Sequence, residues 1–180
     1  MHEGLSIFAV WSNFYIITGS SAAALTGLMF VVISLTTGSR ILRQEGQMNA
    51  GFATFSTPTV VHFCAAFFIS GIVSAPWWGL LPADILIGLT GLAGIVYVVR
   101  AIYAAQCLTT YKLDLEDWTW FAVFPFVAYG AIVVAAILLP FHAPWALFVL
   151  AGATMLLIFM GIRNAWDIVT YLAADQIQNR

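Results

Sequence analysis

Five long apolar stretches, almost free of charged side chains, constrain the fold of this sequence more than any other feature. A bilayer core about 30 Å thick is crossed by about 20 helical residues at 1.5 Å per residue. The stretches meet or nearly meet that length. We therefore predict an all-α membrane protein, a bundle of five transmembrane helices, with spans at about 12–36, 58–79, 84–106, 119–140 and 145–162.

The composition argues against an ordinary soluble domain. Only 8% of the 180 residues are charged and 62% are hydrophobic, whereas soluble domains carry about 25% charged residues. So few charges could not cover the surface of a soluble protein. We expect residues 1–180 to form a single transmembrane domain whose partner is the lipid bilayer. The formal net charge of −2 gives no basic excess for phosphates, so we expect no nucleic acid partner.

Prolines and acidic residues mark the predicted helix starts. Pro58 suits the first turn of the second helix, and Pro144 suits that of the fifth. Asp84 would stand at the start of the third helix, where the helix dipole favours negative charge. The same reasoning applies to three acidic residues just before the fourth helix, Asp114, Glu116 and Asp117.

The basic residues predict the topology. With five spans, all six fall on one side of the membrane: Arg40, Arg43, Arg100, Lys112, Arg163 and Arg180. The positive-inside rule makes that side cytoplasmic. We therefore predict a multi-pass protein of a bacterial-type inner or plasma membrane, with the N-terminus outside and the C-terminus in the cytoplasm. The tryptophans then fall at the two interfaces, which their amphipathic rings favour.

The residues after the fifth span continue its helical pattern, and we predict an amphipathic cytoplasmic tail at about 163–177. Arg163 and Asp167 stand four residues apart and can form an ion pair on one helix face. The tail would pack on the bundle or lie at the membrane interface.

Small residues recur on three spans at intervals of three or four positions. Close approach of helices in lipid requires small side chains. Contact between helices of one subunit is the simplest interpretation, and a subunit interface or a narrow pore remains open. The candidate packing or pore-lining residues are Gly19, Ser20, Ala23 and Gly27 in the first span, Ser70 and Ser74 in the second, and Gly88, Gly91 and Gly94 in the third.

Polar and ionisable residues gather at the predicted cytoplasmic face. Arg100 lies about 9 Å inside the third helix, where its side chain can reach the interface or pair with an acid. His62, one turn into the second helix, has an ordinary pKa of about 6.5 and could titrate near neutrality. Each has a purely structural alternative. The candidate gate or binding cluster comprises His62, Arg100, Asp114, Glu116, Asp117, Arg163, Asn164 and Asp167.

Catalytic motifs are absent from the sequence. It has no Gly-x-Ser-x-Gly elbow, no His-Glu-x-x-His helix and no P-loop. We therefore expect no catalytic residues, no metal and no cofactor. Two less favoured alternatives are a haem held by His62 with a methionine, and a metal ion held by residues of the outer face: His2, Glu3, Asp84 and His142.

Two classes of function remain. The first is a homo-oligomeric channel or small transport protein that passes ions or small solutes. The second is an accessory or scaffold subunit that contacts another membrane protein through its helices. We favour the first, because no soluble stretch of these residues is long enough to form a domain and the small-residue ridges permit close assembly.

Overall fold

The computed structural model describes residues 3–37, 46–107 and 118–178, and the side chains of residues 7–34, 57–104 and 118–170. These residues are helical apart from short connections, and none of them forms a strand. The helices are α1 (Glu3–Thr37), α2 (Gly46–Ser74), α3 (Leu80–Cys107), α4 (Phe124–Leu138) and α5 (Ala143–Gln178). A π-helical turn, Thr119–Val123, leads directly into α4.

The described residues contain five segments that are long and apolar enough to cross a membrane. Their mean hydropathy lies between 1.5 and 2.4. Large apolar side chains such as Val10, Leu81 and Ile137 are more than 60% exposed, which suits a surface in contact with lipid rather than water. The prediction of a multi-pass helical membrane protein is confirmed. The segments are Ile7–Ser34, Thr57–Ser74, Leu80–Ala104, Thr119–Leu138 and Ala143–Thr170.

The bundle has two distinct ends. At the first, which we call the short-loop end, residues 75–79 join α2 to α3 and residues 139–142 join α4 to α5. The ring of Trp11 lies 4.7 Å from that of Phe148, so α1 also begins at this end. We call the opposite end the far end.

Helix α2 is the central element of the bundle. It packs on α1, α3 and α5, while α4 packs on α3 and α5. The main core contains fully buried side chains from several helices, including Tyr15, Ile69, Ile132 and Leu147. A smaller apolar cluster towards the far end joins Met29, Phe63 and Ile168. Helix α2 therefore connects α1, α3 and α5 by packing on each of them.

The second apolar span, Thr57–Ser74, starts within one residue of the predicted position, but the helix that contains it starts earlier, so the prediction that Pro58 lies in the first turn was wrong. Helix α2 begins at Gly46, so Pro58 lies inside the helix and not in its first turn. Proline lacks an N–H and removes one hydrogen bond of the helical ladder. Pro58 is buried, and such prolines are tolerated in membrane helices because neighbouring elements satisfy the freed backbone groups. His62 consequently lies about 24 Å along α2 rather than one turn from its start.

The other helix ends differ from the predicted ones by smaller amounts. Helix α1 starts at Glu3, nine residues before the predicted position, and α3 starts at Leu80. Asp84 therefore lies one turn inside α3 instead of at its N-terminus. Helix α5 continues without interruption to Gln178, so the tail is part of the same helix as the fifth span.

Glycines decide how closely α3 approaches α4. Gly88, Gly91 and Gly94 occur at three-residue intervals and face α4. A Cβ atom on Gly91 would lie 2.8 Å from Cγ2 of Val133, and one on Gly94 would overlap the ring of Tyr129. Contacts this close require that these positions have no side chain.

We expect Gly94→Ala to destabilise the protein by about 1–3 kcal/mol, because the added methyl group displaces the Tyr129 ring in a closely packed core. Reversible unfolding in mixed detergent micelles would measure this. Gly71→Ala is the matched control, since a Cβ at exposed Gly71 meets nothing within 4 Å. Alanine there should leave stability unchanged or raise it slightly. Equal behaviour of the two variants would contradict the packing role of Gly94.

Candidate functional site

Buried polar side chains occupy the inner side of α2. Thr59, His62 and Ser70 are each at most 3% exposed. Together with fully buried Ala66, they fall on one side of the helix, because their spacing follows its 3.6-residue period. We call these four residues the α2 polar face. It extends about 16 Å along the helix axis.

Ser70 contributes a hydroxyl pair between α1 and α2. Its Oγ lies 3.1 Å from Oγ1 of Thr18, and either hydroxyl can donate. Ser70 also donates to the carbonyl of Ala66 at 2.8 Å. A Cβ on Gly19 would lie 2.8 Å from that of Ser70. The absence of a side chain at Gly19 therefore lets the two helices come close enough for the hydroxyls to meet.

His62 links α2 to α4 through a second polar contact. Its Nδ1 lies 3.0 Å from the hydroxyl oxygen of Tyr129, and Tyr129 is fully buried. The imidazole tautomer decides which group donates. Gly94 of α3 leaves the space that the Tyr129 ring fills. Three helices thus define this contact, which lies about 18 Å from the last residue of α2 at the short-loop end.

Tyr15 supplies a further polar atom in the interior. The side chain is fully buried, and its hydroxyl has no hydrogen-bond partner among the described residues. Tyr15 lies three residues before Thr18 and so shares its inward side of α1. A buried hydroxyl without a partner costs about 1–3 kcal/mol. The Tyr15 hydroxyl can therefore form a hydrogen bond with a bound molecule.

The structure brings together some of the residues predicted to form a polar cluster. Nη1 of Arg163 lies 3.6 Å from Oδ2 of Asp167, as their spacing predicts. The guanidinium of Arg163 also stacks 4.3 Å above the Trp120 ring, a cation–π contact with the π-helical turn. These contacts join α5 to the start of α4. Asn164, beside them, is half-buried.

The other members of that predicted cluster have different surroundings or are not described. His62 is buried against Tyr129 of α4, and the adjacent Phe63 lies in the apolar cluster towards the far end. Arg100 is exposed on α3. The acidic residues of the cluster, Asp114, Glu116 and Asp117, lie outside the described residues.

The small residues predicted for packing divide into two groups. Gly19, Ser70, Gly88, Gly91 and Gly94 lie at contacts between helices. The rest are exposed: Ser20, Ala23, Gly27 and Ser74. The ridge on α1 divides because successive i+4 positions rotate by about 40° around a helix axis. Only Gly19 among them therefore faces α2.

Sequence reasoning did not single out Thr59 or the partners of His62 and Ser70. Thr18, Tyr15 and Tyr129 occur in apolar stretches, where isolated hydroxyls are common and bond to their own helix. One usable signal was the spacing of Thr59, His62 and Ser70, which places three polar residues on one side of α2. The partner helices could not be identified from that spacing.

The described side chains contain no group of three histidine, cysteine, aspartate or glutamate residues that could hold a metal ion. Comparison with protein-family models, curated proteins and solved structures gives no match to this chain. The fold defines the class, a small multi-pass helical membrane protein. Its function has to be inferred from the chemistry of its own interior.

We expect His62 and Tyr129 to be energetically coupled. A double-mutant cycle of His62→Ala and Tyr129→Phe should give an interaction energy of about 0.5–2 kcal/mol, the range for hydrogen bonds between membrane helices. Unfolding in mixed micelles would supply the four free energies. The control cycle replaces Tyr129→Phe with Tyr103→Phe, because Tyr103 is 66% exposed. Additive effects in both cycles would rule out a contribution of this hydrogen bond.

Proposed function

We propose that this protein is a small membrane transport protein whose solute path runs through the bundle interior beside the α2 polar face. One observation carries the proposal. Thr59, His62 and Ser70 follow one side of the central helix inside an otherwise apolar core. A path for a polar solute needs such a row, because each step must offer hydrogen bonds in place of those lost to water.

The contacts of the α2 polar face support a path more than a simple packing role. Polar residues that only join two helices can occur singly at any crossing. Here the hydroxyl pair of Thr18 and Ser70 and the contact of His62 with Tyr129 lie on the same side of one helix. The unpartnered hydroxyl of Tyr15 adds unused hydrogen-bonding capacity on the same side of α1 as Thr18.

An accessory or scaffold role is the second candidate, and a different observation favours it. Helix α1 presents small exposed side chains, Ser20, Ala23 and Gly27, on its outer surface. Small side chains let another membrane helix approach closely. The same surface suits assembly of a homo-oligomer. In the transport proposal, each subunit contains its own path. Assembly would place further copies around that subunit and would not form the path.

We expect the purified protein to accelerate solute flux in liposomes, and Ser70→Ala to reduce it by about twofold to tenfold, equivalent to one lost hydrogen bond. Ser34→Ala is the matched control. Its hydroxyl also donates to the carbonyl four residues earlier, at 2.8 Å, but Ser34 is exposed on α1. Flux should be unchanged in this variant.

The mass of the complex in mild detergent, measured together with solute flux, distinguishes the transport role from the accessory role. A chain that catalyses no flux and copurifies with one other membrane protein would contradict transport and favour the accessory role. Equal flux in the Ser70→Ala and Ser34→Ala variants would show that solutes bypass the α2 polar face.

We further propose that the N-terminus lies outside and the C-terminus in the cytoplasm of a bacterial-type inner or plasma membrane. Arg100 and Arg163 lie towards the far end of α3 and α5, whereas residues 75–79 and 139–142 of the short-loop end contain no lysine or arginine. The positive-inside rule makes the far end cytoplasmic.

Cysteine labelling in intact cells would test this orientation. In a chain carrying Cys64→Ala and Cys107→Ala, we expect Trp78→Cys to react with a membrane-impermeant maleimide, because Trp78 is 85% exposed at the short-loop end. Thr170→Cys, exposed on α5, should react only after the membrane is opened. The reverse pattern would invert the proposed orientation.

A further inference from the structure

We propose that the transported solute is a small, uncharged, hydrogen-bonding molecule of about the size of urea or glycerol, and not an ion. This inference rests on the proposed transport function and assigns its substrate class. It follows from the charge, the hydrogen-bonding capacity and the cross-section of the bundle interior.

Charge is the first constraint. The buried polar side chains among the described residues are uncharged hydroxyls and one imidazole: Thr18, Thr59, His62, Ser70 and Thr154. Lysine, arginine, aspartate and glutamate are missing from this set. An ion in the interior would have to exchange its hydration shell for ligands of high field strength or for a countercharge. Among the described residues, the buried carboxylate oxygen of Asp84 lies near the short-loop end, and the middle of the path offers neither.

The charged side chains of the described residues lie at the ends of the bundle. Arg163 and Asp167 form their ion pair on α5 towards the far end, and Arg100 is exposed on α3. Asp84, half-buried one turn inside α3, lies near the short-loop end. These groups can contact a solute as it enters or leaves. The middle of the path remains without charge.

Hydrogen-bonding capacity is the second constraint. A hydroxyl donates one hydrogen bond and accepts others, and an imidazole has one donor and one acceptor nitrogen. Such groups can exchange bonds with a neutral solute without any net transfer of charge. The hydroxyl of Tyr15, fully buried and without a partner, is available to a solute on the inward side of α1. An apolar solute would use none of these groups.

The cross-section is the third constraint. Beside the hydroxyl pair, Ala66 is small and Gly19 has no side chain. Helices α1 and α2 are in close contact there, because a Cβ on Gly19 would lie 2.8 Å from that of Ser70. Further along α2, the Tyr129 ring is held between its contact with His62 and the backbone of Gly94. A ring fixed on two sides leaves little room for displacement. Only a small solute can pass it.

The test compares neutral solutes and ions in the same proteoliposomes. Stopped-flow light scattering measures entry of urea and glycerol, and enclosed fluorescent dyes report K⁺ and H⁺ flux. We expect urea or glycerol to enter faster than into protein-free liposomes, with K⁺ and H⁺ at the protein-free rate. Flux of K⁺ or H⁺ with neither neutral solute accelerated would overturn the substrate class while leaving transport intact. No acceleration of any probe would overturn both proposals.

A pair of histidine variants tests the path itself. His62→Phe keeps a ring but removes its hydrogen bonds, and should slow neutral-solute entry by about threefold to tenfold. His142→Phe is the control, because His142 is exposed in the connection between α4 and α5. If His62→Phe does not elute as the parent protein does in detergent, Ser70→Ala replaces it. Unchanged entry in the folded variant would overturn the inference.

Discussion

Close approach of helices through small residues is the interaction on which the rest of this structure depends. In lipid, apolar surfaces gain little by meeting one another, so packing and hydrogen bonds must hold a bundle together. Gly94 lets α3 lie against the Tyr129 ring, and Gly19 lets α1 lie against Ser70. The contacts of His62 with Tyr129 and of Ser70 with Thr18 depend on these glycines, which bring the backbones near. A larger side chain at either position would separate the helices that share each hydrogen bond.

The central position of α2 links this packing to the proposed path. Because α2 contacts three other helices, polar groups on its inner side meet partners from α1 and α4 without facing lipid. The contact of Arg163 with Trp120 fastens the far end of α5 to the π-helical turn before α4. That end is thereby fixed by a half-buried cation and an aromatic ring. Among the described residues, the polar side chains buried in the interior are uncharged, and this property favours neutral solutes in the proposed path.

Several features of the fold could be predicted from the sequence, for reasons of length and solvation. A run of about 20 apolar residues can satisfy its backbone in lipid only as a helix, so five runs imply five helices. The start of α2 could not be placed in this way, because Pro58 suits both a first turn and the interior of a packed membrane helix. His62 stays about one turn inside the apolar span that begins at Thr57, and its contact with Tyr129 was not predicted.

The sequence by itself determined the helical class, the number of spans and the ion-pair spacing of Arg163 and Asp167, since each depends on local periodicity and on hydrophobicity. Only the tertiary structure decided that His62 meets Tyr129, that Ser70 meets Thr18, and that Gly27 faces outward while Gly19 faces α2. The physical reason is that partners far apart along the chain are chosen by the rotation and crossing of whole helices. Hydrophobic period defines a face of one helix, but it does not specify which neighbour covers that face.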